Sequence, residues 1–130
     1  MEKYRILVKG IVQYEDKYLI VRRWFDDRVL EPYQWGFIDG VIDFGEPPEK
    51  AILRNVTEQT GLSVVIEKIL YTWSFMTGEV FNIGISYLCR GTMTDVQLSE
   101  ELVDSNWVTK DELEKFIDGK IIEDIESAEL

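Results

Sequence analysis

The sequence has 130 residues, 45% of them hydrophobic and 30% charged, with 25 acids against 14 bases and a formal charge of −11. That length fits one domain with one core, no apolar run reaches the ~20 residues that cross a bilayer, and the acidic excess repels nucleic-acid polymers. A single cysteine, Cys89, excludes an internal disulfide and the absence of histidine argues against a zinc site, so the expectation is a cytoplasmic protein, without a secretory signal, whose cations are hard and oxygen-ligated, such as magnesium, manganese or calcium.

At the start of the chain Ile6, Val8, Gly10 and Val12 alternate with Leu7, Lys9, Ile11 and Gln13, the period of two that predicts a strand. Glu15-Asp16-Lys17 supplies a polar turn and residues 18–23 read as the returning strand of a hairpin. From Trp24 to Gln34 the alternation is lost, and Asp26-Asp27-Arg28 with Glu31-Pro32 read as a surface loop. Its aromatics Trp24, Phe25 and Tyr33 either anchor the loop to the core or stack on the ring of a ligand.

Residues 35–62, WGFIDGVIDFGEPPEKAILRNVTEQTGL, are the stretch least explained by folding needs. They read as a strand, then a glycine-punctuated turn carrying Asp39, Asp43 and Glu46, then a helix over Pro48 to Thr60. Ala51, Ile52, Leu53 and Val56 form its apolar stripe, Pro48 suits a first turn, and Gly61 suits the position just past the end. Arg54 and Glu58 lie four apart, as do Asn55 and Gln59, so the four share one polar patch. Helix geometry alone favours an ordinary solvated face with one Arg–Glu pair.

Beyond it, 62–75 reads as a strand with Tyr71, Trp73 and Phe75 on one face, and 80–90 as its partner with Phe81, Ile83, Ile85, Tyr87 and Cys89 on one face. Cys89 is read there as packed rather than reactive. A polar segment with Ser99-Glu100-Glu101 leads to a short strand at 106–108. Thr109 and Glu112 have the spacing of a capping box, predicting a helix from Lys110 to about Ile117 that Gly119 ends. Residues 120–130 are left as an acidic tail that forms a further turn or frays. The whole reads as one α+β domain, 1–130, layered on a mixed sheet.

The central stretch resembles the Nudix box, whose pattern is Gly, five residues, Glu, seven residues, then Arg-Glu-apolar-any-Glu-Glu-any-Gly-apolar. Gly40, Glu46, Arg54, Val56, Glu58, Gly61 and Leu62 match it in spacing and type. The resemblance implies a Nudix-type α/β/α sandwich and a metal-dependent diphosphohydrolase of a nucleoside diphosphate derivative, with Mg2+ or Mn2+ held by carboxylates. It also implies that Gly40, Glu46, Arg54 and Gly61 are structural, Glu46 pairing with Arg54 to hold loop to helix.

Two positions depart from the pattern: Asn55 and Gln59 stand where the family has glutamates, leaving Glu58. Their amide oxygens can still coordinate, but they carry no charge and accept no proton at neutral pH. The expected catalytic set is therefore Glu58 with Asn55 and Gln59, and the expected metal set Glu58, Asp39 and Glu101, the last two as replacements for the missing acids. Trp24, Phe25, Tyr33 and Phe75 are the expected stacking residues. The degenerate active site leaves an alternative, a non-catalytic Nudix-fold module binding a nucleotide-like ligand or a protein partner. Exposed hairpin edges would allow a homodimer.

Overall fold

In the computed structural model, residues 2–24 and 34–130 are described. Strands β1 (Lys3–Tyr14) and β2 (Lys17–Arg23) form the expected hairpin, with Gln13 opposite Tyr18. There follow β3 (Trp35–Gly36), β4 (Ile38–Val41), helix α1 (Pro48–Thr60), the long pair β5 (Val64–Thr77) and β6 (Val80–Gly91), β7 (Leu102–Thr109), a 3-10 turn (Leu113–Lys115) and helix α2 (Gly119–Ser127).

The strands make one mixed sheet in the order β3-β2-β1-β6-β5, with β4 also on β1 and β7 also on β2. β1 and β6 run parallel, from Lys3 beside Val80 to Gln13 beside Arg90. A parallel pair has to be covered on both faces, and β1 meets that demand with Val8, Ile11 and Val12 fully buried. On one face Ala51, Ile52 and Val56 of α1 pack against Val8, Val12, Leu19, Val21 and Ile38. On the other, Ile11, Tyr18, Ile20, Phe37 and Leu88 pack against Leu113, Ile117 and Ile125. The molecule is thus the α/β/α sandwich expected, and Cys89 is fully buried in the layer under α1, where burial pushes its thiol up to about 12.

Helix α1 has the predicted span. Gly61 closes it in the left-handed conformation, φ 75°, with its N–H donating to the Thr57 carbonyl, a geometry that glycine adopts without steric cost. The C-terminal prediction needs correction. The Glu112 carboxylate does reach back to the Thr109 N–H at 2.9 Å, but the Thr109 hydroxyl donates to that same carboxylate instead of capping the Glu112 N–H, which bonds to the Thr109 carbonyl. The element it opens is a single 3-10 turn. The regular helix lies one element later, in the stretch read as a tail: Asp118 caps it through the Lys120 N–H at 2.8 Å, Gly119 begins it, and Ile125 buries it against the sheet.

Candidate active site

The turn between β4 and α1 is held by one arginine. Arg54 donates from Nε and Nη2 to the two Glu46 carboxylate oxygens at 2.8 and 2.9 Å, and from Nη2 to the Val41 carbonyl at 3.0 Å. Its remaining nitrogen reaches Glu58 at 3.3 Å, and Asp43 lies 3.6 Å from Nη2. The Glu46 carboxylate also accepts from the Asp43 N–H at 3.1 Å. Hydrogen bonds from Arg54 and then from Asp43 hold its carboxyl down to about 2, and the Glu46 partner raises the Arg54 guanidinium in turn. A bidentate fork of this kind fixes direction as well as distance, so the start of α1 is set against the end of β4.

Next to Arg54 and one turn beyond it on α1, and buried, lie the two amides Asn55 and Gln59. Asn55 is 6% exposed and Gln59 2% exposed, which a charged side chain tolerates only with a partner. Asn55 Nδ2 donates to the Ala51 carbonyl at 2.8 Å, and its Oδ1 accepts from Gln59 Nε2 at 3.2 Å. The same Gln59 amide donates to the Asp39 carbonyl at 2.8 Å. Gly40 is needed above them: a Cβ there would sit 1.9 Å from Asn55 Oδ1.

The group that completes the cluster is Arg23, at the end of β2. Its Nη2 lies 2.8 Å from Gln59 Oε1, 3.0 Å from the Asp39 carbonyl and 3.0 Å from Asp39 Oδ1, and its Nη1 lies 3.7 Å from Glu101 Oε2. The side chain is only 13% exposed. The ladder between β2 and β7 shifts register between Arg22 and Arg23, and a bulge of this sort re-aims a side chain.

Of the residues expected at the site, the structure brings Asp39, Gln59 and Glu101 together around Arg23, with Asn55 joined to them through Gln59 and Gly40 directly above Asn55. Glu58 stands apart, exposed and turned to Arg54. Among the described residues no three acidic or cysteine side chains converge in a way that could hold a metal ion. The donor set does not fit a resident divalent cation of the kind the box implies: Asp39 and Glu101 face a guanidinium, and the Asp39 carbonyl already accepts from Gln59 and Arg23. Trp24, half-exposed, adjoins the cluster through its backbone N–H, which donates to the Glu101 carbonyl at 3.4 Å. Phe75 lies on the outer strand β5, separated from β2 by β6 and β1. Phe25 and Tyr33 lie outside the described residues.

Two neighbours of the cluster escape the sequence reading. Arg23 was legible only as a strand residue, because alternation gives no sign of the bulge. Lys9 sits opposite Asp39 on β1, 7% exposed, with its ammonium 4.4 Å from the Trp73 ring centre and 3.5 Å from the Tyr71 hydroxyl. Burial lowers its pKa, while Asp39 and Asp124 oppose that shift. A lysine in an alternating strand gives no signal of such a setting.

Comparison with known proteins agrees with this fold. A family model of the NUDIX domain matches residues 3–125. The nucleoside triphosphatase NudI of Escherichia coli O81 is 27% identical over 123 residues, covering 85% of the chain and 86% of the relative. Its counterpart in Escherichia fergusonii is 25% identical over 126 residues, covering 88% of each. Among solved structures, the MutT protein of Methanosarcina mazei Go1 superposes with a TM-score of 0.82 at 22% identity, over 98% of this chain and 94% of that one. A C. elegans Ap4A hydrolase does so with a TM-score of 0.80 at 16% identity, over 94% and 93%.

Proposed function

The chain belongs to the NUDIX family, and from that premise we propose that it is a diphosphohydrolase of nucleotide derivatives, slowed by the amides at 55 and 59. The observation that carries the reading is the intact clamp of Glu46 on Arg54, which holds the loop and α1 in place and leaves Glu58 exposed on the helix. Of positions 55, 58 and 59, Glu58 is the one with a carboxylate able to accept a proton, since amides cannot. Asn55 and Gln59 keep the Asp39 turn in register, and Trp24 offers a ring at the edge of the cluster. The relatives named as nucleoside triphosphatases support a substrate bearing linked phosphates on a nucleoside. Magnesium or manganese enters this reading as the ion carried on those phosphates.

The test is a panel of nucleoside di- and triphosphate derivatives with Mg2+ or Mn2+, following release of phosphate-containing product. Turnover of one class is expected, and silence across the panel would end the hydrolase reading. A second reading, a binding module without hydrolysis, is favoured by a specific observation: Asp39 and Glu101 face Arg23, and Glu58 faces Arg54. Asn55→Glu with Gln59→Glu separates the two. A gain of hydrolysis of about tenfold or more, on the scale of general acid–base effects, marks a disabled site, whereas loss of an existing activity marks amides that belong to a working one.

No helix among the described residues is long and apolar enough to cross a membrane. The same reading places the protein in the cytoplasm. It includes a homodimer across the outer edge of β5, where Val65, Ile69, Phe75 and Met76 are exposed; a monomeric mass by light scattering would remove that part.

A further inference from the structure

We propose that the guanidinium of Arg23 is the resident cation of this site, and that Asn55 and Gln59 are the matching change in the helix, so that the cluster closes without a divalent ion. Oxygens from three separate segments converge on this one side chain: the Asp39 carbonyl and carboxylate in β4, the Gln59 amide oxygen of α1, and the Glu101 carboxylate just before β7. Drawing a strand, a helix and a late acid together is what a bound cation does in a cluster of oxygens. Here a fixed, always-charged fork does it.

The amides are what make this arrangement self-consistent. Gln59 uses both sides of its amide: Oε1 accepts from Arg23, while Nε2 donates to the Asp39 carbonyl and to Asn55 Oδ1. A glutamate at 59 would turn lone pairs toward two acceptor oxygens and lose both of those bonds. A glutamate at 55 would bring a charge into a position 6% exposed, directly under Gly40. Asp39, Glu101 and Arg23 together carry a net charge of −1; two added glutamates would make it −3, which one guanidinium does not offset. Helix amides and strand arginine therefore form one design. This arrangement holds whether or not the chain hydrolyses anything.

The test is a Mn2+ titration of the 15N-labelled full-length chain, followed by paramagnetic broadening of backbone amides and by calorimetry, with no nucleotide present. The wild type should show no saturable site and no selective broadening at Asp39, Gly40, Gln59 and Glu101. Arg23→Ala should unmask selective broadening at those amides. The triple variant Arg23→Ala, Asn55→Glu, Gln59→Glu should bind Mn2+ at least about tenfold more tightly than the wild type, as expected when carboxylates replace neutral ligands. Saturable Mn2+ binding with selective broadening at those amides in the wild type overturns the proposal, and that arm needs no variant to fold. So does a folded triple variant that binds no better than the wild type. Failure of the hydrolase reading would register only in the nucleotide panel and would leave these outcomes unchanged.

Discussion

Replacing Gly40 by alanine tests whether the buried amide of Asn55 is held in one place. The added methyl carbon would lie 1.9 Å from Asn55 Oδ1, 2.5 Å from Cγ and 2.9 Å from Nδ2, so the amide has to move. Moving it breaks the bond from Gln59 Nε2 and strains the bond to the Ala51 carbonyl. Overpacking of a tight interior costs about 1–3 kcal/mol and a lost hydrogen bond about 1 kcal/mol more, so Gly40→Ala should destabilise by about 2–4 kcal/mol. Asn55→Ala removes the obstacle along with the amide. In the double variant those three clashing atoms are gone, and the two effects should fail to add by at least about 1 kcal/mol, as they do for groups in contact. Urea unfolding of the four proteins gives the cycle. Additive effects would show that Gly40 is required for some other reason, and that the Asn55 amide is not fixed under the turn.

The remaining predictions concern charge. The Glu46 carboxyl is held at about 2 by Arg54, below the ordinary value near ~4.3, so its stabilisation is full above that range and is lost as pH falls through about 2. The stability difference between wild type and Glu46→Gln should therefore shrink on acidification across this window, by circular dichroism; a difference that stays constant refutes the linkage. For Lys9, burial lowers the pKa, so the folded state binds its proton less well than the unfolded chain and stability rises with pH from the lowered value up to ~10.4. Lys9→Met should flatten that rise. At neutral pH it should be neutral or stabilising, because relief of desolvation outweighs a cation–π contact of about 0.5–2 kcal/mol. Thermal melts showing a loss above about 1 kcal/mol would mean that the ring contacts with Trp73 dominate.

Much of this protein is written in short-range pattern. Alternation over 6–13 and 80–90 marked strands because a strand exposes opposite faces at successive residues, and the span of α1 followed from Pro48 and Gly61, whose backbone preferences act locally. The register of Gly40, Glu46, Arg54 and Gly61 pointed to a loop and helix unit, and the clamp of Arg54 on Glu46 is seen in the structure. The C-terminal helix is misplaced because Thr109 and Glu112 have capping-box spacing, yet the Thr109 hydroxyl donates to the Glu112 carboxylate and only a 3-10 turn forms, whereas Asp118 caps the following segment through the Lys120 N–H. The chemistry of the site was less legible still. That Asn55 and Gln59 lack charge is plain from residue type, but the Gln59 amide donates to the Asp39 carbonyl, twenty residues away, which no local pattern shows. Arg23 reaches that same carbonyl because of a register shift in a ladder with β7, a strand some eighty residues later. Residue type determined what each group could do, and only the tertiary fold decided which groups met, because hydrogen bonds and ion pairs depend on ångström-scale positions that long-range strand pairing sets.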